Sequence, residues 1–162
     1  MTVVSSGRDA DALTMTFVAE LDADVESVWD LWEDPRKLER WWGPPGWPAT
    51  FEQHELEVGG SSAYFMTGPD GETSRGWWEV TTVDPPTRLE FDDGFADETG
   101  ANQEDMGTTH SVVTFEPIGD KTRMTIVSSF DSTEQFEEML QMGMEEGMGD
   151  ALGQMDAILA QH

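Results

Sequence analysis

The apolar residues of this chain recur with a period of two from about Ala49 to Phe130, and from Ser132 onward they switch to a period of three and four. That switch constrains the fold more than any other feature. A long run of antiparallel strands has an apolar face that cannot be left in water, and the segment after Ser132 is the only long element able to cover it. Within the strand run, "ATFEQHELEVGG" slips phase near His54, which predicts a bulge. Turns are expected at Gly59-Gly60, at Pro69-Asp70-Gly71-Glu72, at Asp84-Pro85-Pro86 and at Pro117-Ile118-Gly119-Asp120. The acidic stretch over 96–107 reads as a mobile loop.

Upstream, residues 1–11 are polar and small and read as a flexible tail before a single domain over 12–162. Leu13, Met15, Phe17 and Ala19 alternate as a half-buried strand. Val25, Val28, Trp29 and Trp32 then recur at helical spacing behind Asp24, a good N-cap. Pro35 opens a second short helix with Leu38, Trp41 and Trp42 toward one side, and Gly43-Pro44-Pro45 stops it. At the other end, Phe136, Met139, Leu140, Gly143, Gly147, Met148, Ala151, Met155, Ile158 and Leu159 fall near one stripe. The spacing predicts one helix to about Leu159, roughly 40 Å long at about 1.5 Å per residue. Its glycines each cost about 1 kcal/mol relative to alanine. They would allow close approach to the sheet, leave room for a bound molecule, or permit a bend. The expected class is α+β: a curved antiparallel sheet of about six to seven strands around a long C-terminal helix, with two short helices after the first strand.

Charge narrows the partners. With 34 acidic against 8 basic residues the net charge is -26. Such a surface repels nucleic-acid phosphates and anionic membranes. The acidic residues are spread along the chain, as on a solvated face adapted to high salt; a basic partner is the alternative. Cysteine is absent, so disulfides and thiol chemistry are excluded. No stretch approaches the roughly 18 apolar residues of a membrane span, and the expectation is a cytoplasmic protein, monomer or homodimer, without membrane insertion. No cofactor or metal is expected either: His54, His110 and His162 lack ligand spacing, and no phosphate-binding glycine loop occurs. The "DDGFADETG" stretch misses the calcium-loop pattern.

Five pieces in order, "VWDLWEDPRKLERWWGPPGW", "VGGSSAYFMTGPDGE", "RGWWEVTTVDPPTRLEFD", "TFEPIGDKTRMTI" and "GMEEGMGDALGQMDAIL", resemble the activator of Hsp90 ATPase homologue 1-like family of the START-like or Bet v 1-like superfamily. The resemblance spans roughly residues 13 to 160 and implies a helix-grip fold with a cavity between sheet and last helix. It implies no universal catalytic motif. Relatives in the superfamily bind hydrophobic small molecules, and some are cyclases or hydrolases. The expected function is therefore non-enzymatic binding of a hydrophobic molecule or lipid, with a chaperone-modulating interaction module or an enzyme for a small apolar substrate as alternatives.

Trp41, Trp42 and Trp47 would line the cavity mouth or else anchor the short helices, with one of the adjacent pair Trp41 and Trp42 partly exposed. Trp77 and Trp78 alternate in a strand, so one faces inward, and Trp77 is the candidate ligand contact. Tyr64, Arg75, His54 and His110 are the candidate polar contacts. Arg75 would meet a carboxylate or phenolate, or else pair with an acidic neighbour. Met139, Gly143 and Gly147 complete the set from the last helix.

Overall fold

The computed structural model describes residues 3–43, 46–96, 108–141 and 143–160, so nearly all of the expected loop over 96–107 lies outside the described residues. In chain order the elements are β1 (Val3–Asp9), β2 (Thr14–Leu21), α1 (Val25–Glu33), α2 (Pro35–Trp41), β3 (Ala49–His54), β4 (Ser61–Thr67), β5 (Thr73–Asp84), β6 (Arg88–Ala96), β7 (Thr109–Ile118), β8 (Lys121–Phe130), α3 (Thr133–Gln141), α4 (Met144–Gly153) and α5 (Met155–Leu159). The strands form one open antiparallel sheet in the order β1-β2-β8-β7-β6-β5-β4-β3. This is an α+β architecture consistent with the helix grip.

Local chemistry sets the helix starts. Asp24 caps α1 by accepting from the Ser27 amide at 2.8 Å. Asp34 ends α1 and caps α2, accepting from the Arg36 amide at 2.9 Å with Pro35 at the first helical position. The bulge expected near His54 falls between Phe51 and Gln53 of β3, and it returns His54 to the concave face.

Three expectations are corrected. Residues 3–9 are not a tail; they form β1, paired along its length with β2 and tied to α4 where Ser6 Oγ donates to Glu145 at 2.6 Å and Arg8 pairs with the same carboxylate. An edge strand needs no apolar face of its own, which is why its polar sequence concealed it. With β1 included the sheet has eight strands. The C-terminal segment is not one rod. Gly143 adopts φ 81, a left-handed conformation that glycine tolerates best, and ends α3 before α4 begins. At the α4–α5 junction, Gln154 Nε2 donates to the carbonyls of Trp41 and Gly43, at 3.3 and 2.7 Å. The broken segment thus follows the curvature of the domain.

The concave face is organised in transverse rows read from the strand register. One apolar row runs Leu89, Val113, Ile126, Phe17, and another runs Phe115, Met124, Ala19. The α1 helix lies over this end, on β7 and β8, while α3 meets β8 and α4 meets β1, β2 and α2. Beyond the tryptophan cluster, Met66, Asp93 and Phe95 on β4 and β6 remain half-buried.

Candidate functional site

Two further rows cross the middle of the concave face and differ from the apolar ones. The first runs His54, Ser62, Trp78, Asp93, Thr109, Phe130; the second runs Val80, Phe91, Ser111, Ser128, Met15. Beside the first lies Phe51, Tyr64, Gly76, Phe95. Most polar groups here are satisfied locally. Ser111 and Ser128 share a hydrogen bond at 3.1 Å, and His54 Nε2 donates to the Trp32 carbonyl at 2.7 Å while Nδ1 accepts from Ser62 Oγ at 2.7 Å. Burial lowers the His54 pKa in spite of the Trp32 bond, so the ring is a neutral packing element.

Asp93 is different. Its cross-strand neighbours are Trp78 and Thr109, and Phe91 and Phe95 flank it two positions away on the same face. No hydrogen bond or ion pair joins it to another described residue. On the concave face it is half-buried and keeps some accessible surface. Burial, reinforced by the neighbouring Asp92 charge, raises its carboxyl to about 7. Burial also pushes the Tyr64 hydroxyl up, with the Asp93 charge adding to the effect. Close by, the indole N–H of Trp78 is buried without an acceptor among the described residues, and that of Trp42 is directed at the Tyr64 hydroxyl without good hydrogen-bond geometry. Buried donors are nearly always paired, so the Trp78 N–H calls for an explanation.

The tryptophans form the wall of this site. Trp42 meets Trp78 edge-on at 4.9 Å and Tyr64 at 5.9 Å, while Trp78 stacks on Phe91 at 4.2 Å. Tyr64 stacks on Phe51 at 4.9 Å and lies across Gly76, where a Cβ would come within 2.4 Å of the hydroxyl. Only glycine fits at that position.

The expected site residues separate into two sets. Tyr64 and Trp42 lie in the cluster, and Met139 is buried in the same core. Trp41 is also fully buried: its N–H donates to the Leu31 carbonyl at 2.8 Å and its ring packs on Trp32. The expected partial exposure of one of the pair is thereby corrected. Trp42 is the residue that ends α2, so Trp41 turns toward α1 while Trp42 turns toward the sheet. Trp47 is half-buried at the rim, its ring against Gly68. Gly143 makes the bend described above, and around Gly147 a Cβ would meet nothing within 4 Å, so close packing on the sheet does not explain it.

Three candidates point the other way. Trp77 lies on the convex face over Gly94, donating to the Phe95 carbonyl at 3.2 Å. Arg75 shares that face, paired with Glu52 at 2.8 Å and set over the Phe65 ring. His110 is convex too, bonded to Asp92 at 2.7 Å and Glu90 at 3.2 Å. Partial burial opposes its protonation, but these two carboxylates outweigh that and raise its pKa. Residues missed by sequence reasoning are Asp93 and Trp78. Their signal is strand phase: Leu89, Phe91, Asp93 and Phe95 share one face, as do Gly76, Trp78 and Val80.

Elsewhere, an open depression of about 470 Å³ is lined by Ser6, Glu145, Glu146, Gly149 and Asp150. Its carboxylate walls do not suit an apolar ligand.

An open sheet gripping a C-terminal helical segment over an aromatic interior defines a START-like α+β domain. Residues 22–160 match the model of the activator of Hsp90 ATPase homolog 1-like protein family, and the chain belongs to that family. It is similar to a solution structure from Arthrobacter aurescens at 60% identity and TM-score 0.95, covering 99% of this chain and 94% of that one. It also resembles a crystal structure from Mycobacterium smegmatis at 43% identity and TM-score 0.90, with 98% and 97% covered. A Rhodobacter sphaeroides crystal structure at 23% identity and TM-score 0.85, covering 99% and 100%, shares the fold. None of the curated proteins matches the chain. Among the described residues no helix is long and apolar enough to cross a membrane.

Proposed function

We propose that the chain binds a hydrophobic small molecule, without transforming it, on the concave face beside β4, β5 and β6. The observation that carries this reading is the coincidence of half-buried Met66, Phe95 and Asp93 with the buried Trp78 N–H, which has no acceptor among the described residues. Apolar walls with a few converging polar groups are what small-molecule sites are made of. Affinity would come from apolar burial, at roughly 25 cal/mol per Å², and orientation from Asp93 and Tyr64. Enzymatic chemistry has weaker support. Ser62 and His54 are bonded as a nucleophile and base would be, but Ser62 keeps 2% of its surface and its hydroxyl serves the packing of β3 on β4.

The test is native mass spectrometry of protein purified gently from its own cells, followed by denaturing release. One stoichiometric apolar compound supports the proposal. Repeated recovery of bare protein that also fails to respond to a lipid and aromatic library in thermal shift counts against it. Modulation of a chaperone, the second reading, draws on the family description alone; a co-purifying protein in place of a small molecule would favour it.

A further inference from the structure

We infer that the ligand is an apolar amine, its ammonium held by Asp93 among the rings of Tyr64, Trp78, Phe91 and Phe95. The inference rests on the binding reading above and names its ligand class. Asp93 is an acid placed among aromatic neighbours with no counter-ion among the described residues. No described Lys or Arg is paired with it. Arg8, Arg36, Lys37, Arg75, Arg88, Lys121 and Arg123 each pair with a carboxylate, and Arg40 is exposed at the end of α2. His54 is held by Ser62 and Trp32, and His110 faces the convex side.

Among the described residues, few groups surround Asp93. Its own strand supplies the Asp92 charge, β4 supplies the Tyr64 hydroxyl, and β5 and β7 supply the uncharged Trp78 and Thr109. The segment after α2 adds the uncharged Trp42. An incoming ammonium would therefore be the only positive charge at the carboxylate among the described residues. An anionic ligand meets the opposite: two aspartates and a chain of net charge -26. A neutral ligand leaves the carboxylate without a counter-ion, a state that burial disfavours.

The experiment titrates the full chain with three isosteric probes, 2-naphthylmethylamine, 2-naphthylmethanol and 2-naphthoate, in about 0.5 M KCl to screen diffuse attraction. At about pH 8 the amine is expected to bind at least about tenfold more tightly than the alcohol, with the carboxylate weakest. Near pH 5, where Asp93 is protonated and the amine still charged, the preference shrinks toward unity. Asp93→Asn abolishes the preference of amine over alcohol, whereas Glu57→Gln, an exposed carboxylate, leaves it intact. Should Asp93→Asn fail to fold, the Asp93 carboxyl carbon followed by NMR in the wild type carries the test, its pKa falling when the amine is added. Equal binding of amine and alcohol would overturn the amine assignment while leaving apolar binding in place. A preference surviving in Asp93→Asn, or an Asp93 pKa unmoved by the amine, would place the counter-ion elsewhere and also overturn it. Failure of all three probes to bind would remove both readings.

Discussion

Asp93 shows how one residue's phase on a strand sets its chemistry. Neutral, it fits its aromatic surroundings; ionised, it is a buried charge beside Asp92 without a partner among the described residues, so its pKa lies at about 7 instead of the usual 3.8. Folding therefore loses stability as pH rises from about 4 through 7 and levels off above. Asp93→Asn mimics the neutral acid. It is expected to match the wild type at about pH 4 and exceed it by about 1–4 kcal/mol above pH 7, read by urea denaturation at both pH values. Equal stabilities throughout would mean the carboxyl is solvated. Gly76→Ala tests the neighbouring contact: the added methyl runs into the packed Tyr64 ring, and a loss of about 1–3 kcal/mol is expected in the same assay. Asp93 was legible only in part. Its alternation with Leu89, Phe91 and Phe95 was visible, but in a chain with 34 acidic residues no single carboxylate stands out by composition. Trp77 and Trp78 were harder still, because neighbouring identical side chains give a strand's two faces the same signature.

At the scale of elements, turns and caps were read correctly because they depend on local chemistry: Asp24, Pro35, Gly71 and the bulge after Phe51 each act within a few residues. Less legible were features decided by distant partners. The β1 strand exists through β2 and Glu145, and nothing in its own polar sequence announces them. The bend at Gly143 was among the options its glycines opened, but choosing it required knowing that Gln154 reaches the carbonyls at the end of α2. Gly147 sits within α4 at negative φ with open space around its missing side chain. Gly147→Ala is thus expected to stabilise the protein by about 0.5–1 kcal/mol through helix propensity. A destabilised variant in thermal unfolding would show that the glycine serves packing after all.

Across the whole molecule, 34 acidic residues outnumber 8 basic ones, and the relief of their mutual repulsion belongs to the solvent. Melting temperature is expected to rise between low and molar KCl; a flat or falling response would reject salt screening as a source of stability. The same charge surplus draws cations toward a concave face whose floor holds Asp93. The central claim, that this face receives the ligand, is tested most directly by the indole N–H resonances in a two-dimensional NMR titration with 2-naphthylmethylamine. The account predicts that the signals of Trp42 and Trp78 move together, while that of Trp41, bonded to the Leu31 carbonyl, stays in place. Movement confined to Trp77 on the convex face, or no movement at saturating probe, would contradict it.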